Sequence, residues 1–483
     1  MNEEKLKNKV ISATKWSTIT EVAAKFVAPV TNMVLARILT PEAFGVVATV
    51  TMITSFADMF TDAGFQKYLI QREFKDDEEK FKSTNVAFLT NFFVSILLWC
   101  IIILFNEEIA RLVGNPGLGH VIVVACIQLP LTAFSSIQTA LFKRDFDFKT
   151  LFIVRIAAIL VPVIVTIPLA LLGLGYWALI IGTLFMQLTK AVILTAKSPW
   201  KPNLFFSWSV LKNMLSFSIW TLVESISIWL TSWVDMFIIS KFLDEYYLGI
   251  YRTSITMVNS LMGVVTAAIL PVLFSTLSRL QNNEPAYRNM FYRYQRIVAY
   301  LVFPMGTGIF LYSDLATDIM LGEQWTEASK IIGIWSLTSV LLIPTSHFNS
   351  EVYRSKGRPK LSFLSQIIHL SFLIPTCLLS GQYGFWPLVY ARALIRLQGF
   401  VTGFVIMKIV IKFPVLKTLR NLSKPFMFTI VMALFSIFLK SFSDSSIWYF
   451  VAIMFSAIFY FLLVFLFSKK DVELAKKFLV KER

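Results

Sequence analysis

Apolar residues run along this chain in blocks of about 20, broken by short polar connections. An α-helix rises about 1.5 Å per residue, so a block of that length crosses the ~30 Å hydrocarbon core of a bilayer. Blocks of this kind fall near 11–39, 43–66, 84–105, 119–142, 150–173, 176–196, 213–241, 247–275, 290–312, 328–351, 361–380, 385–408, 425–440 and 446–467. The pattern predicts an all-α integral membrane protein with about fourteen transmembrane helices. The run after Lys9 is too long for a signal-peptide core and lacks a small-residue cleavage site, so it reads as a retained first span.

Composition supports that class. Hydrophobic residues make up 56% of the 483 and charged residues 15%, with a mean hydropathy of +0.68. A formal charge of +16 invites a nucleic-acid reading, but the positions of the charges exclude it. With both termini in the cytoplasm, inward segments and the span ends beside them hold 33 of the 45 Lys and Arg, and outward loops and the span ends beside them hold only Arg37, Arg111, Lys241, Lys330 and Lys440. That asymmetry is the positive-inside signature, and the inward clusters would meet anionic lipid. Cys100, Cys126 and Cys377 are scattered through apolar segments with neither metal spacing nor a disulfide framework.

The chain also repeats itself. A shift of 204 residues aligns Ser12 with Ser216, Trp16 with Trp220, Arg37 with Lys241, Leu39 with Leu243, Gly45 with Gly249, Thr49 with Thr253 and Asn85 with Asn289. Further on the offset drifts, and Gly175-Tyr176-Trp177-Ala178-Leu179 matches Gly384-Phe385-Trp386-Pro387-Leu388. Each unit holds six spans, an even number, so both copies enter the membrane the same way. Two six-helix lobes related by a pseudo-twofold along the membrane normal are expected, as in parallel-repeat transporters. The organisation is then an N-terminal lobe 1–197, an interfacial cytoplasmic linker 198–211 and a second lobe 212–412. Two further transmembrane helices (413–468) and a cytoplasmic amphipathic tail (469–483) follow. The linker, Ser198-Pro199-Trp200-Lys201-Pro202 with Phe205, Phe206 and Trp208, mixes aromatic and basic residues in the manner of an interfacial segment.

No phosphate-binding loop, paired metal histidines or nucleophile elbow appears, and no connection is long enough to fold as a catalytic domain. His347 and His369 lie within spans, where a bond to a neighbouring helix is the simpler role. Candidate chemistry is instead carried by charges inside spans, each costing about 2.5–3.5 kcal/mol at mid-bilayer unless paired or wet. Glu21 and Lys25 sit four apart on the first span, and Glu224 and Asp235 lie on the seventh. Arg252 lies about one turn inside the eighth, and Arg392 and Arg396 lie four apart on the twelfth. In a water-filled cavity between the lobes, Lys25, Arg252, Arg392 and Arg396 would face an anionic substrate. Glu21, Glu224 and Asp235 would balance them or bind a coupling Na⁺ or H⁺. The alternative for all seven is interhelical pairing that fixes packing.

Leu35-Ala36-Arg37-Ile38-Leu39-Thr40-Pro41-Glu42-Ala43-Phe44-Gly45, Asp62-Ala63-Gly64-Phe65, Gly173-Leu174-Gly175-Tyr176-Trp177-Ala178-Leu179 and Leu248-Gly249-Ile250-Tyr251 together carry a resemblance. The chain resembles the Wzx-like polysaccharide/O-antigen flippase family of the multidrug/oligosaccharidyl-lipid/polysaccharide exporter superfamily, over essentially its whole length. The resemblance implies a MATE-like arrangement of two lobes plus two helices and alternating access. It also implies transport of undecaprenyl-diphosphate-linked oligosaccharide across the bacterial cytoplasmic membrane for O-antigen, capsule or exopolysaccharide synthesis. Membrane lipids, a glycan polymerase and glycosyltransferases are the partners it admits, with no nucleic acid and no role as an enzyme. Rival readings are a peptidoglycan-precursor flippase, a drug exporter of the same superfamily, and an envelope glycan polymerase. Four basic cavity residues disfavour cationic drugs, and the outward loop from Asp314 to Lys330 is too short for a polymerase site.

Overall fold

A computed structural model describes residues 27–62, 64–358, 360–469 and 471, together with 16, 20 and 24; the side chains of 62, 216–221, 224, 268, 271 and 415 fall outside that description. Among the described residues the chain is helical throughout, without strands. Ten helices are long and apolar enough to cross a membrane, or up to twelve when each of two bent pairs counts as one span. By contacts the chain divides into two compact units, 1–252 and 253–483.

In the first unit the order is α1 (Val27–Ile38), α2 (Pro41–Asp62), the short α3 (Phe65–Gln71) and α4 (Asp77–Leu104). There follow α5 (Asn106–Leu112), α6 (Gly119–Ala125), α7 (Gln128–Arg144), α8 (Phe148–Val161), a π turn at Pro162–Thr166, α9 (Ile167–Leu171) and α10 (Tyr176–Lys197). α11 (Trp208–Phe242) and the first eight residues of α12 (Glu245–Arg279) complete the unit. Helix starts follow local chemistry. Asp76 caps α4 by accepting the Glu79 N–H at 2.7 Å, and Asp77, Glu78 and Glu79 stand in the first turn, where the helix dipole favours acid. Between helices the core is apolar, with polar bonds at selected crossings. Asn91 donates to Ser136 Oγ at 2.8 Å and Gln138 to Thr195 Oγ1 at 2.9 Å.

The linker expected at the interface runs without helix until Ser207 and packs on this first unit. Trp200 is buried with its ring 5.5 Å from that of Phe88, and the Asn203 N–H donates to Asn85 Oδ1 at 2.9 Å. Leu204, Phe206 and Trp208 are exposed.

Two turns recur with the same backbone requirement. Gly175 precedes α10 with φ +55°, and Gly384 precedes α18 (Phe385–Ile409) with φ +104°. An L side chain would strain either. A second recurrence is closer packed. α2 and α12 cross so tightly that a Cβ on Gly45 would land on the carbonyl oxygen of Glu245. A Cβ on Gly249 would land on that of Pro41. Position 41 shifted by 204 is 245, and 45 shifted is 249, so equivalent residues meet reciprocally.

The second unit contains the rest of α12, then α13 (Glu284–Leu311), α14 (Ser313–Met320), α15 (Ala328–Leu342), a π turn at Ile343–His347 and α16 (Phe348–Ser355). α17 (Lys360–Gly381) and α18 follow, then α19 (Val415–Lys440) and α20 (Ser446–Phe467). Pro344 sits in the π turn, where a proline's missing N–H is tolerated. α19 and α20 dock on α13 through Tyr300, Met432, Tyr460 and Val464. Tyr460 Oη donates to the Tyr300 carbonyl at 3.0 Å, and Ser436 Oγ donates to Tyr312 Oη at 2.9 Å. The outer face of α20, including Met454, Ile458 and Phe461, is exposed apolar surface of the kind a bilayer covers.

Candidate functional site

Glu21 and Lys25 lie outside the described residues, as does the side chain of Glu224 on α11. Asp235, Arg252, Arg392 and Arg396 are described and fall into two clusters, one in each unit.

In the first unit, α11 carries Trp233, Asp235 and Met236, and the turn into α12 brings Tyr251 and Arg252 against them. Tyr251 Oη donates to Asp235 Oδ2 at 2.9 Å, and the Met236 N–H donates to Oδ1 at 2.9 Å. Asp235 and Tyr251 are both fully enclosed. The Arg252 guanidinium lies 4.2 Å from the Trp233 ring centroid, and its Nη1 is 3.6 Å from Met236 Sδ. A guanidinium stacked on an indole keeps its in-plane N–H donors for an acceptor while its flat faces are desolvated. One hairpin therefore joins a carboxylate and a guanidinium that the sequence placed on separate spans.

In the second unit, α18 lays Arg392 and Arg396 over one residue of α15. Arg396 stacks on Trp335 at 3.7 Å and Arg392 approaches the same ring at 5.5 Å. Arg396 also forks across the helix pair. Its Nη1 donates to Thr338 Oγ1 at 2.6 Å and to the Trp335 carbonyl at 3.2 Å, and Nη2 donates to Ser339 Oγ at 3.0 Å. Arg396 thus has a packing role beside any role toward a ligand. Arg392 is 7% exposed. Farther along α18, Gln398 Oε1 meets His369 Nδ1 of α17 at 3.1 Å, a bond between neighbouring helices as expected for that histidine. Gln398 in turn donates to Thr402 Oγ1.

Sequence reasoning did not single out Trp233 and Trp335 as platforms, nor Tyr251, Thr338 and Ser339 as partners. A signal for the tryptophans existed, because membrane Trp concentrates at the interface and these two stand seven or more residues inside the apolar blocks 213–241 and 328–351. Trp335, Arg252 and Arg392 each stand at the eighth residue of their helix, about 10 Å along it.

A chain of many apolar helices with arginines buried among them is a multi-pass membrane protein with the fold of the flippase and MATE transporters. The inward closed conformation of the lipid II flippase MurJ superposes with a TM-score of 0.78 at 15% identity, covering 95% of this chain and 100% of that one. An inward-facing multidrug resistance MATE transporter superposes at 0.59 with 13% identity, covering 82% and 99%. The sequence pattern of the family described as "Polysaccharide biosynthesis protein" matches residues 34–330, and the chain belongs to that family. Among its relatives, the succinoglycan biosynthesis transport protein ExoT of Rhizobium meliloti is 24% identical over 69% of this chain and 67% of its own length. The lipopolysaccharide biosynthesis protein WzxC of Escherichia coli is 22% identical over 78% and 76%. The teichuronic acid biosynthesis protein TuaB of Bacillus subtilis is 22% identical over 88% of each.

Proposed function

We propose that this protein translocates undecaprenyl-diphosphate-linked oligosaccharide across the bacterial cytoplasmic membrane for surface polysaccharide synthesis, as a transporter and not an enzyme. The observation that carries the reading is that relatives from distant organisms are named for the biosynthesis or transport of surface glycans, whatever the sugar. What they have in common is not a sugar but the need to move a glycan unit outward. A lipid carrier with a diphosphate meets that need, and its charge cannot enter hydrocarbon without compensating donors.

Arg252 and Arg392 are the residues assigned to that compensation, with Lys25 from the first span and Arg396 in a mixed binding and packing role. Their stacking on tryptophan supports the assignment, because it holds positive charge within an apolar span. Asp235, Glu224 and Glu21 balance the charge or take the coupling Na⁺ or H⁺. The molecule is read as two six-helix lobes, 1–197 and 212–412, joined by 198–211, with helices in 413–468 and a tail at 469–483. This gives about fourteen spans with both termini cytoplasmic. The reciprocal contact of Gly45 with Glu245 and Gly249 with Pro41 supports the pseudo-twofold, as do the paired positive-φ turns at Gly175 and Gly384. The pathway's glycosyltransferases and polymerase are its expected functional partners.

Purified protein in proteoliposomes with a fluorescent undecaprenyl-diphosphate oligosaccharide tests this directly. The expected result is protein-dependent loss of label from the inner leaflet to an impermeant quencher outside. Movement of a peptidoglycan precursor or a cationic drug, with none of the oligosaccharide, would replace the reading with its rival.

A further inference from the structure

Two adjoining cavities open where α13 meets α19, and they share Asn289, Tyr292 and Arg296. The larger has a volume of about 750 Å³ and the smaller about 110 Å³. Among the described residues, their walls carry Arg293, Arg296, Lys417, Arg420 and Lys424 against a single carboxylate, Asp471. The centre of the wall is built rather than incidental. Arg296 donates through Nε to Asn421 Oδ1 at 2.9 Å and through Nη1 to Asp471 Oδ1 at 2.9 Å. Asn421, 8% exposed, is fixed in turn by bonds to the Tyr292 carbonyl at 2.9 Å and Gln295 Oε1 at 3.1 Å. Lys417 sits 5.1 Å from the Tyr292 ring centroid, and Lys417, Arg420 and Lys424 are exposed at the cavity's mouth. Leu416 and Met427 share the Arg420 side of α19 at helical spacing and are 79% and 62% exposed.

A cationic cleft with apolar residues running from its edge along a membrane helix has the chemistry of a phospholipid: an anionic head and an acyl tail. We propose that this cleft binds the phosphodiester headgroup of an anionic phospholipid, with the acyl chain along the exposed face of α19. The arginines and lysines supply charge-assisted donors to the phosphate. The larger cavity lies in the roughly 300–1,000 Å³ range of small-molecule sites. On the positive-inside assignment the cleft faces the inner leaflet, where basic pockets between membrane helices hold such headgroups. It shares no residue with the clusters at Arg252 and at Arg392 and Arg396, so it stands apart from the assigned transport residues. Its cations come largely from α19, a helix that the internal repeat does not account for.

The test uses the full chain in phosphatidylcholine vesicles doped with phosphatidylglycerol, with bound phosphatidylglycerol counted by native mass spectrometry. The variant K417A/R420A/K424A is expected to bind about tenfold less phosphatidylglycerol than the parent. K143A/K149A/K197A, which removes the same charge from other inward segments, is expected to bind as the parent does. Equal losses in both triples would mean diffuse attraction and overturn the proposal, as would no loss in the first. Inorganic phosphate added alone is expected to displace none of the lipid; displacement at millimolar phosphate would assign the cleft to a free anion instead. The single variant Arg420→Gln guards against misfolding of the triple: several-fold weaker binding is expected, and parental binding would overturn the site.

Discussion

The crossing of α2 and α12 lends itself to a sharp perturbation, Gly45→Ala and Gly249→Ala. An alanine at 45 would bring its Cβ onto the Glu245 carbonyl oxygen, 2.7 Å from the carbonyl carbon and 3.0 Å from Cα. An alanine at 249 would meet the Pro41 carbonyl, with its carbon at 2.7 Å and the Gly45 nitrogen at 2.9 Å. Ordinary carbon contacts begin at about 3.5 Å, so the helices must part by about 1.5 Å. No side chain can rotate aside, because every atom in the way is backbone. Overpacking against yielding neighbours costs about 1–3 kcal/mol, and this case should reach the upper end of that range. The decisive feature is coupling. Once one alanine has forced the helices apart, the second finds the space already made, so the double variant should cost about as much as one single and well under their sum. Thermal unfolding of the detergent-purified protein, followed by size exclusion after heating, measures all three. Singles within about one degree of the parent would refute the reasoning. So would fully additive losses, since they would mean that the two glycines pack independently.

Further outcomes follow from the two clusters. Arg396→Lys keeps the charge but cannot reproduce the fork to Thr338, Ser339 and the Trp335 carbonyl, so a loss of about 1–3 kcal/mol is expected in the same unfolding assay. Trp335→Leu should lower stability and export together, because it removes the surface on which both arginines of α18 rest; glycan export in cells reads the second effect. Tyr251→Phe leaves the enclosed Asp235 carboxylate without its phenol donor and should destabilise by about 1–3 kcal/mol, with Asp235→Asn in the same background recovering part of it in a double-mutant cycle.

Much of the architecture was legible in the sequence because the bilayer imposes so plain a requirement. From the second segment onward, each apolar block falls on a helix or a helix pair, and the short connections left little room for another class. The equivalence of Gly45 and Gly249 under a shift of 204 residues is read from the numbering alone. What the sequence did not reveal is that those two glycines touch, since sequence alignment says which residues are equivalent and not which are neighbours. The candidate charges were found from their cost in hydrocarbon, yet that cost does not name a partner. For Arg392 and Arg396 that left an anionic substrate and interhelical pairing both open, and the structure lays both over Trp335 and gives Arg396 hydroxyl and carbonyl acceptors on α15. Tyr251 was noticed only as part of a motif, because a phenol at a helix start gives no sign of the aspartate sixteen residues earlier on the adjoining helix. The basic cleft beside α19 was seen only as positive-inside charge. Lys417, Arg420 and Lys424 are ordinary juxtamembrane residues in one dimension, and become a cleft only when α13 brings Arg296 to them.

The central claim is that an anionic lipid-linked oligosaccharide crosses with help from cations held inside the spans. Its most direct test is the rate of oligosaccharide flipping in proteoliposomes for the parent and for Lys25→Gln, Arg252→Gln and Arg392→Gln, each checked for retained folding. The account predicts that flipping falls at least about tenfold in one or more of these folded variants, the scale of one lost charged contact near 1.4 kcal/mol or more. Parental rates in all three folded variants would contradict it.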